Sequence, residues 1–191
     1  MNISGKREDI IRTALELFAE HGFHGTPMAM IADKAGVGAG TIYRYFENKD
    51  VLINELYNEL ENQIMGAIRE DFRPDSPIRV RFIHIGTILL KHCISHALEF
   101  RYVEQFHNSP YGVSARRDKI LGKSTELDII KDLFEEGITQ QVFKDLPLPA
   151  FFSLAFGPLI TIARDHILGF ITLDDVLITR IVEACWDGVK R

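Results

Sequence analysis

Little in this 191-residue chain suits a secreted, membrane-embedded or disulfide-built protein. Its two cysteines, Cys93 and Cys185, lie far apart in unrelated contexts, so no disulfide framework is expected and a reducing cytoplasm fits best. Long apolar runs are also missing. The run from Phe151 to Ile160 meets Arg164-Asp165-His166 well before the ~20 residues that a membrane span requires. Near the start, Lys6-Arg7-Glu8-Asp9 leads into an amphipathic pattern without an apolar signal core, so no export signal is expected. There is no excess of positive charge. The chain carries a net charge of −5, and its first fifty residues hold six Lys and Arg against seven Asp and Glu. Non-specific attraction to a polyanion is therefore weak, and any reading of nucleic acid must depend on where a few cations point. No β alternation and no internal repeat is visible. Gly-x-Ser-x-Gly elbows, phosphate-cradling glycine loops and dinucleotide fingerprints are absent, so neither catalysis nor a bound cofactor is expected.

What is present is helical periodicity almost throughout, in a composition of 46% apolar and 26% charged residues that is ordinary for a globular protein. A first helix over about 5–21 turns Ile10, Ile11, Ala14, Leu15, Leu17 and Phe18 inward, and Gly22 closes it. Thr26 is placed to cap a short helix beginning at Pro27. Ile31, Ala32 and Ala35 form its inner stripe, and Ala35-Gly36-Val37-Gly38 supplies a tight turn. A second short helix starts near Ala39, with Ile42 and Phe46 facing inward at i, i+4. Asn48 caps a long helix running to about Phe72, along which Leu52, Leu56, Leu60, Ile64 and Ile68 repeat every fourth residue. Arg73-Pro74-Asp75-Ser76-Pro77 breaks it. Helices are expected next over about 78–97, then a segment over 98–107 ended by Asn108-Ser109-Pro110-Tyr111-Gly112. Further helices follow over 117–137, 148–169 and 173–190, the last capped by Thr172.

The two short helices with their glycine turn have the form of a helix-turn-helix. Such a unit presents the start of its second helix to base edges, while hydroxyls and cations around it hold phosphates. Ala39, Gly40, Thr41 and Arg44 are the candidates for base contact, with Thr41 suited to a thymine methyl and Arg44 to a guanine edge. Thr26, Tyr43, Tyr45, Lys49, Lys6 and Arg7 are the candidates for phosphate contact.

At these residues the chain resembles the TetR family of bacterial transcription regulators. The resemblance lies in Phe18 to Gly22-Phe23, Thr26, Ile31-Ala32-Asp33-Lys34-Ala35-Gly36-Val37, and Gly40-Thr41-Ile42-Tyr43-Arg44-Tyr45-Phe46-Glu47-Asn48-Lys49, then Leu52. Two positions depart from the pattern. Gly38 stands where a Ser or Thr usually caps the recognition helix, and Ala29 where a longer polar side chain is common. A larger share of recognition would then fall to phosphates and DNA shape.

The resemblance implies an all-α protein. Residues 1–47 would form a three-helix DNA-binding head, and residues 48–191 a larger helical domain for ligand binding and dimerisation. It implies a homodimeric repressor on a near-palindromic double-stranded operator, released by a small-molecule inducer. Dimerisation through the last two helices would use Phe152, Phe156, Gly157, Ile160, Leu177, Ile181 and Trp186. An effector pocket would draw on Phe82, His84, His92, Cys93, His96, Phe100, Tyr102, Glu104, Phe106, Tyr111 and Phe156, where polar groups interleave with large apolar ones. His92 and His96 share a helical face, yet no HExxH or Cys-x-x-Cys signature accompanies them, so no metal is expected. The alternative reading is a helical small-molecule or metal-binding module whose DNA head is inactive.

Overall fold

In the computed structural model, which describes residues 3–120 and 129–191, the chain forms helices α1 (Ile3–Gly25), α2 (Met28–Lys34), α3 (Ala39–Tyr45), α4 (Lys49–Arg69), α5 (Ile78–Ser95), α6 (Ala97–His107), α7 (Pro110–Ile120), α8 (Ile129–Thr139), α9 (Leu148–Ala155), α10 (Gly157–Ile167) and α11 (Asp175–Val189). No strand is present among the described residues. The all-α expectation holds, and most differences from the expected helix limits come from proline.

Pro110 does not end a segment. It opens α7 only two residues after α6 stops, because a helix's first turn has no use for the missing N–H. The helix expected over 117–137 falls partly on residues outside the described range, with α7 before it and α8 after it. Similarly, the helix expected over 148–169 is two. Phe156 leaves the helical region (φ −123°, ψ −20°), and Pro158 sits in the first turn of α10. At the last helix the cap is Asp174, whose carboxylate accepts from Leu177 N–H at 2.7 Å, and not Thr172. Asn48 caps α4 as expected, accepting from Val51 N–H at 2.9 Å. Gly22, expected to close the first helix, takes φ 72° but marks a bend, and α1 runs on to Gly25.

Contacts within the chain divide it differently from a cut at residue 47. The described residues within 1–63 and 98–124 make one compact unit; those within 64–97 and 125–191 make the other. The first unit takes in α6, whose large aromatic side chains Tyr102 and Phe106 pack on residues of α1 and α4. Tyr102 is wholly buried and donates its hydroxyl to the Ile53 carbonyl at 2.7 Å. Phe106 stacks on Tyr57 with centroids 3.8 Å apart, and Phe23 meets Phe18, Tyr102 and Tyr111 edge-on. Ile10, Phe18, Ile31, Ile42, Phe46, Leu52, Ile53 and Leu56 complete this core.

The second unit is built around Phe82, which is wholly buried on α5. Its ring lies 5.5 Å from Phe156 and 5.4 Å from Trp186, with Phe143 at 6.2 Å. Gly137 on α8 is buried against the Phe143 ring, so closely that a Cβ at this position would overlap the ring carbons. Gly137→Ala is therefore expected to lower stability by ~1–3 kcal/mol, read as a reduced urea midpoint with an unchanged denaturant slope.

Candidate nucleic-acid interface

A seven-residue helix has few side chains to divide between inside and outside, and α3 divides them cleanly. Ile42 and Phe46, the latter in its C-cap, are wholly buried. Ala39, Gly40, Tyr43 and Arg44 are exposed, while Thr41 and Tyr45 are half-buried. Tyr43 keeps 54% of its surface open to solvent, a high value for a large aromatic group. The Arg44 guanidinium lies over the Tyr45 ring, 5.6 Å from its centroid, which limits the directions in which it can reach. Gly38 provides no side-chain cap, as its lack of a hydroxyl requires. On α2, Ala29 is exposed, and so is Met30 at 39%, a residue that the apolar periodicity did not single out.

Several of the residues expected to touch phosphates are engaged elsewhere. Thr26 is wholly buried and does not cap α2, whose N-cap is Pro27. Its hydroxyl instead faces the carbonyls of Leu17 (3.1 Å) and Gly22 (2.9 Å), and so ties the bend after α1 to the helix before it. Arg7 is held by two carboxylates of α4, Glu55 at 2.8 Å and Glu59 at 2.7 Å. Its guanidinium also lies 5.4 Å from the centroid of Phe46, at the end of α3. The hydrogen bond that Arg7 donates to Glu55 raises the Arg7 pKa above its ordinary value. Lys49 donates to the Phe23 carbonyl at 2.9 Å, leaving other ammonium protons for a second partner. Lys6 is half-buried. Glu55 and Glu59 carried a signal that was available in the sequence, since two glutamates at i, i+4 share one helical face.

The chain matches the family model of tetR-family bacterial regulatory proteins over residues 10–56. Residues 77–190 match the model of the tetracyclin repressor-like C-terminal domain, which is more than half of the chain. The chain belongs to the TetR family. This member is a DNA-binding transcription regulator with a helix-turn-helix formed by α2 and α3. It is 26% identical over 181 residues to a fatty acid metabolism regulator protein of Bacillus subtilis, covering 93% of this chain and 84% of that one. Its fold is similar to that of a TetR-family transcription regulator from Marinobacter aquaeolei, with a TM-score of 0.84, 22% identity, and 98% and 96% of the two chains covered. A Bacillus subtilis FadR structure, solved with stearoyl-CoA, shares the fold at a TM-score of 0.76 and 22% identity, with 95% and 98% covered.

The residues expected to line an effector pocket are divided between the two units. Phe100, Tyr102, Glu104, Phe106 and Tyr111 belong to the first unit, whereas Phe82, His84, His92, Cys93, His96 and Phe156 belong to the second. Tyr102, Phe106 and Phe82 are wholly buried as core. Tyr111 donates to Asp50 at 2.6 Å, and that bond pushes its pKa up to about 12. His84 is bonded through Nε2 to the Ile68 carbonyl at 2.8 Å, and the rings of His92 and His96 stack at 4.2 Å. Of the expected dimer residues, Phe152, Gly157, Ile160, Leu177 and Ile181 are half-buried. Phe156 and Trp186 are nearly buried in the core of their own unit, packed on Phe82.

Because the Thr26 hydroxyl meets only carbonyls in a dry setting, Thr26→Val leaves Leu17 or Gly22 without a donor. A loss of about 1 kcal/mol in unfolding free energy is expected, measured by urea titration of the two proteins side by side.

Proposed function

We propose that the protein is a homodimeric repressor, released from a near-palindromic operator by a small-molecule effector. The observation that carries this reading is the outward face of α3. Thr41, Tyr43 and Arg44 are offered to solvent on a helix whose two apolar side chains are buried beneath it. A helix of that length contacts only a few base pairs, so a second copy, about 34–36 Å along the duplex, supplies the remaining specificity. Half-buried Phe152, Ile160, Leu177 and Ile181, on α9, α10 and α11, are the side chains we assign to the contact between copies. The chain has no described helix long and apolar enough to cross a membrane, and we place the protein in the cytoplasm with its DNA.

Release by an effector requires that the effector bind the DNA-incompetent conformer more tightly, and that DNA weaken effector binding by the same factor. Helix α4 is the element suited to carry that change, since it contributes residues to both compact units. The similarity to a Bacillus subtilis fatty acid metabolism regulator, and to a FadR structure solved with stearoyl-CoA, makes fatty acyl thioesters the first effector class to test.

The test is fluorescence anisotropy of the purified protein on DNA taken from upstream of its own gene, with random DNA as competitor. Competitor-resistant binding, relieved by an acyl-CoA, is the expected outcome; binding equal to that of random DNA overturns the reading. Two variants sharpen it. Arg44→Ala should lower discrimination at one operator position by ~1–3 kcal/mol. Arg7→Ala should weaken binding without changing the slope of log K against log salt, because Arg7 holds α1 and Phe46 to α4 and touches no phosphate. A phosphate contact at Arg7 would instead reduce that slope by ~0.9.

A further inference from the structure

Arg81 presents a problem that the DNA-binding reading leaves unsolved. It lies on α5, is only 7% exposed, and pairs through Nη2 with Glu136 of α8 at 2.6 Å. That guanidinium holds the Glu136 carboxyl below its ordinary pKa. Yet the Nε–H of Arg81 is buried with no hydrogen-bond partner among the described residues. A buried cation is stable only when it is both paired and hydrogen-bonded, and a donor left unfilled there is costly.

The same side chain forms part of the wall of a cleft of about 290 Å³ at the turn between α4 and α5. Arg73 and Ser76 line it from the turn, and Val80 and His84 line it from α5, with Phe72 between them. Asp71 is the single carboxylate of the lining. His84 is already turned away to the Ile68 carbonyl, and its ring lies 5.9 Å from that of Phe72. Helix α5 begins at Pro77 without a side-chain cap and without an acidic residue in its first turn. Two arginines and a serine thus line one small space beside the positive end of an 18-residue helix, together with Phe72 and Val80.

We infer that this cleft is a binding site for a small oxyanion, a carboxylate or phosphate, whose oxygens are held by Arg81, Arg73 and Ser76 while any short apolar portion rests on Phe72 and Val80. The planar guanidinium suits either oxyanion, since both offer two acceptors at matching spacing. Glu136 keeps its bond to Nη2, and the ligand supplies the acceptors that the protein lacks. The site lies wholly within the second compact unit and does not depend on the DNA-binding reading.

Isothermal titration of the full chain with inorganic phosphate and, separately, with hexanoate tests it. Saturable one-site binding of at least one probe is expected; binding of phosphate alone assigns a phosphoryl ligand, and binding of hexanoate alone an organic carboxylate. Arg73→Ala, a change at an exposed turn residue that leaves the fold intact, should weaken that probe ~10-fold, the loss of one charge-assisted contact. Arg81→Met should abolish it, with circular dichroism confirming that the variant is folded. If Arg81→Met does not fold, Ser76→Ala takes its place and should weaken binding by a smaller factor. No saturable binding of either probe, or binding unchanged in Arg73→Ala, overturns the site. Operator binding in the anisotropy assay stands or falls separately.

Discussion

A helix of seven residues does not hold itself together in water, since nucleation costs more than one or two turns of hydrogen bonds return. Everything that this protein offers to DNA therefore depends on the burial of Ile42 and Phe46, the two side chains by which α3 is fixed to its surroundings. Arg7 extends that anchorage. It lies against the Phe46 ring while two glutamates of α4 hold its charge, so the end of the recognition helix, α1 and α4 meet at one guanidinium. Lys49 adds a bond from the start of α4 to the Phe23 carbonyl. The exposed face of α3 follows from this, because with Ile42 and Phe46 inside, Tyr43 and Arg44 are turned outward.

Several cations in this molecule are engaged with its own carboxylates. Arg7, Lys34, Arg79, Arg81 and Lys91 each hold an acidic partner. A chain with a net charge of −5 has little positive field to attract DNA at long range, and Arg44 on the outward face gains correspondingly in importance. Such a protein gains more from shape and specific contact than from bulk attraction. Most of its surface ion pairs contribute little to stability, but they do decide which cations remain for a partner.

Polar groups among aromatic ones suggested a ligand site over residues 78–111, and His84, Tyr102 and Gln105 among them bond to backbone carbonyls. Tyr102 and Gln105 donate to backbone carbonyls far away in sequence, at Ile53 and Ala19. A buried hydroxyl bonded to a carbonyl is a structural fastening, and no pattern within one chain segment distinguishes it from a ligand anchor. The one cation in that stretch whose buried donor has no partner among the described residues is Arg81, which carried no motif at all.

By itself the sequence determined the helical class, the helix-turn-helix with its buried Ile42 and Phe46, the Asn48 cap and a positive φ at Gly22. These follow from local rules: periodicity, a side-chain oxygen near free N–H groups, and a residue without Cβ where φ is positive. Helix ends at Pro110 and Pro158 were misjudged because proline both stops and starts helices, and only the neighbouring turns decide which. What the tertiary structure alone decided was allegiance across distance. It assigned Arg7 to Glu55 and Glu59, Thr26 to the carbonyls of Leu17 and Gly22, α6 to the DNA-reading unit, and Trp186 and Phe156 to the core around Phe82. An arginine or a threonine reads the same in sequence whether it meets a phosphate or a neighbouring helix. The difference lies in which partner the packed core places within about 3 Å of it.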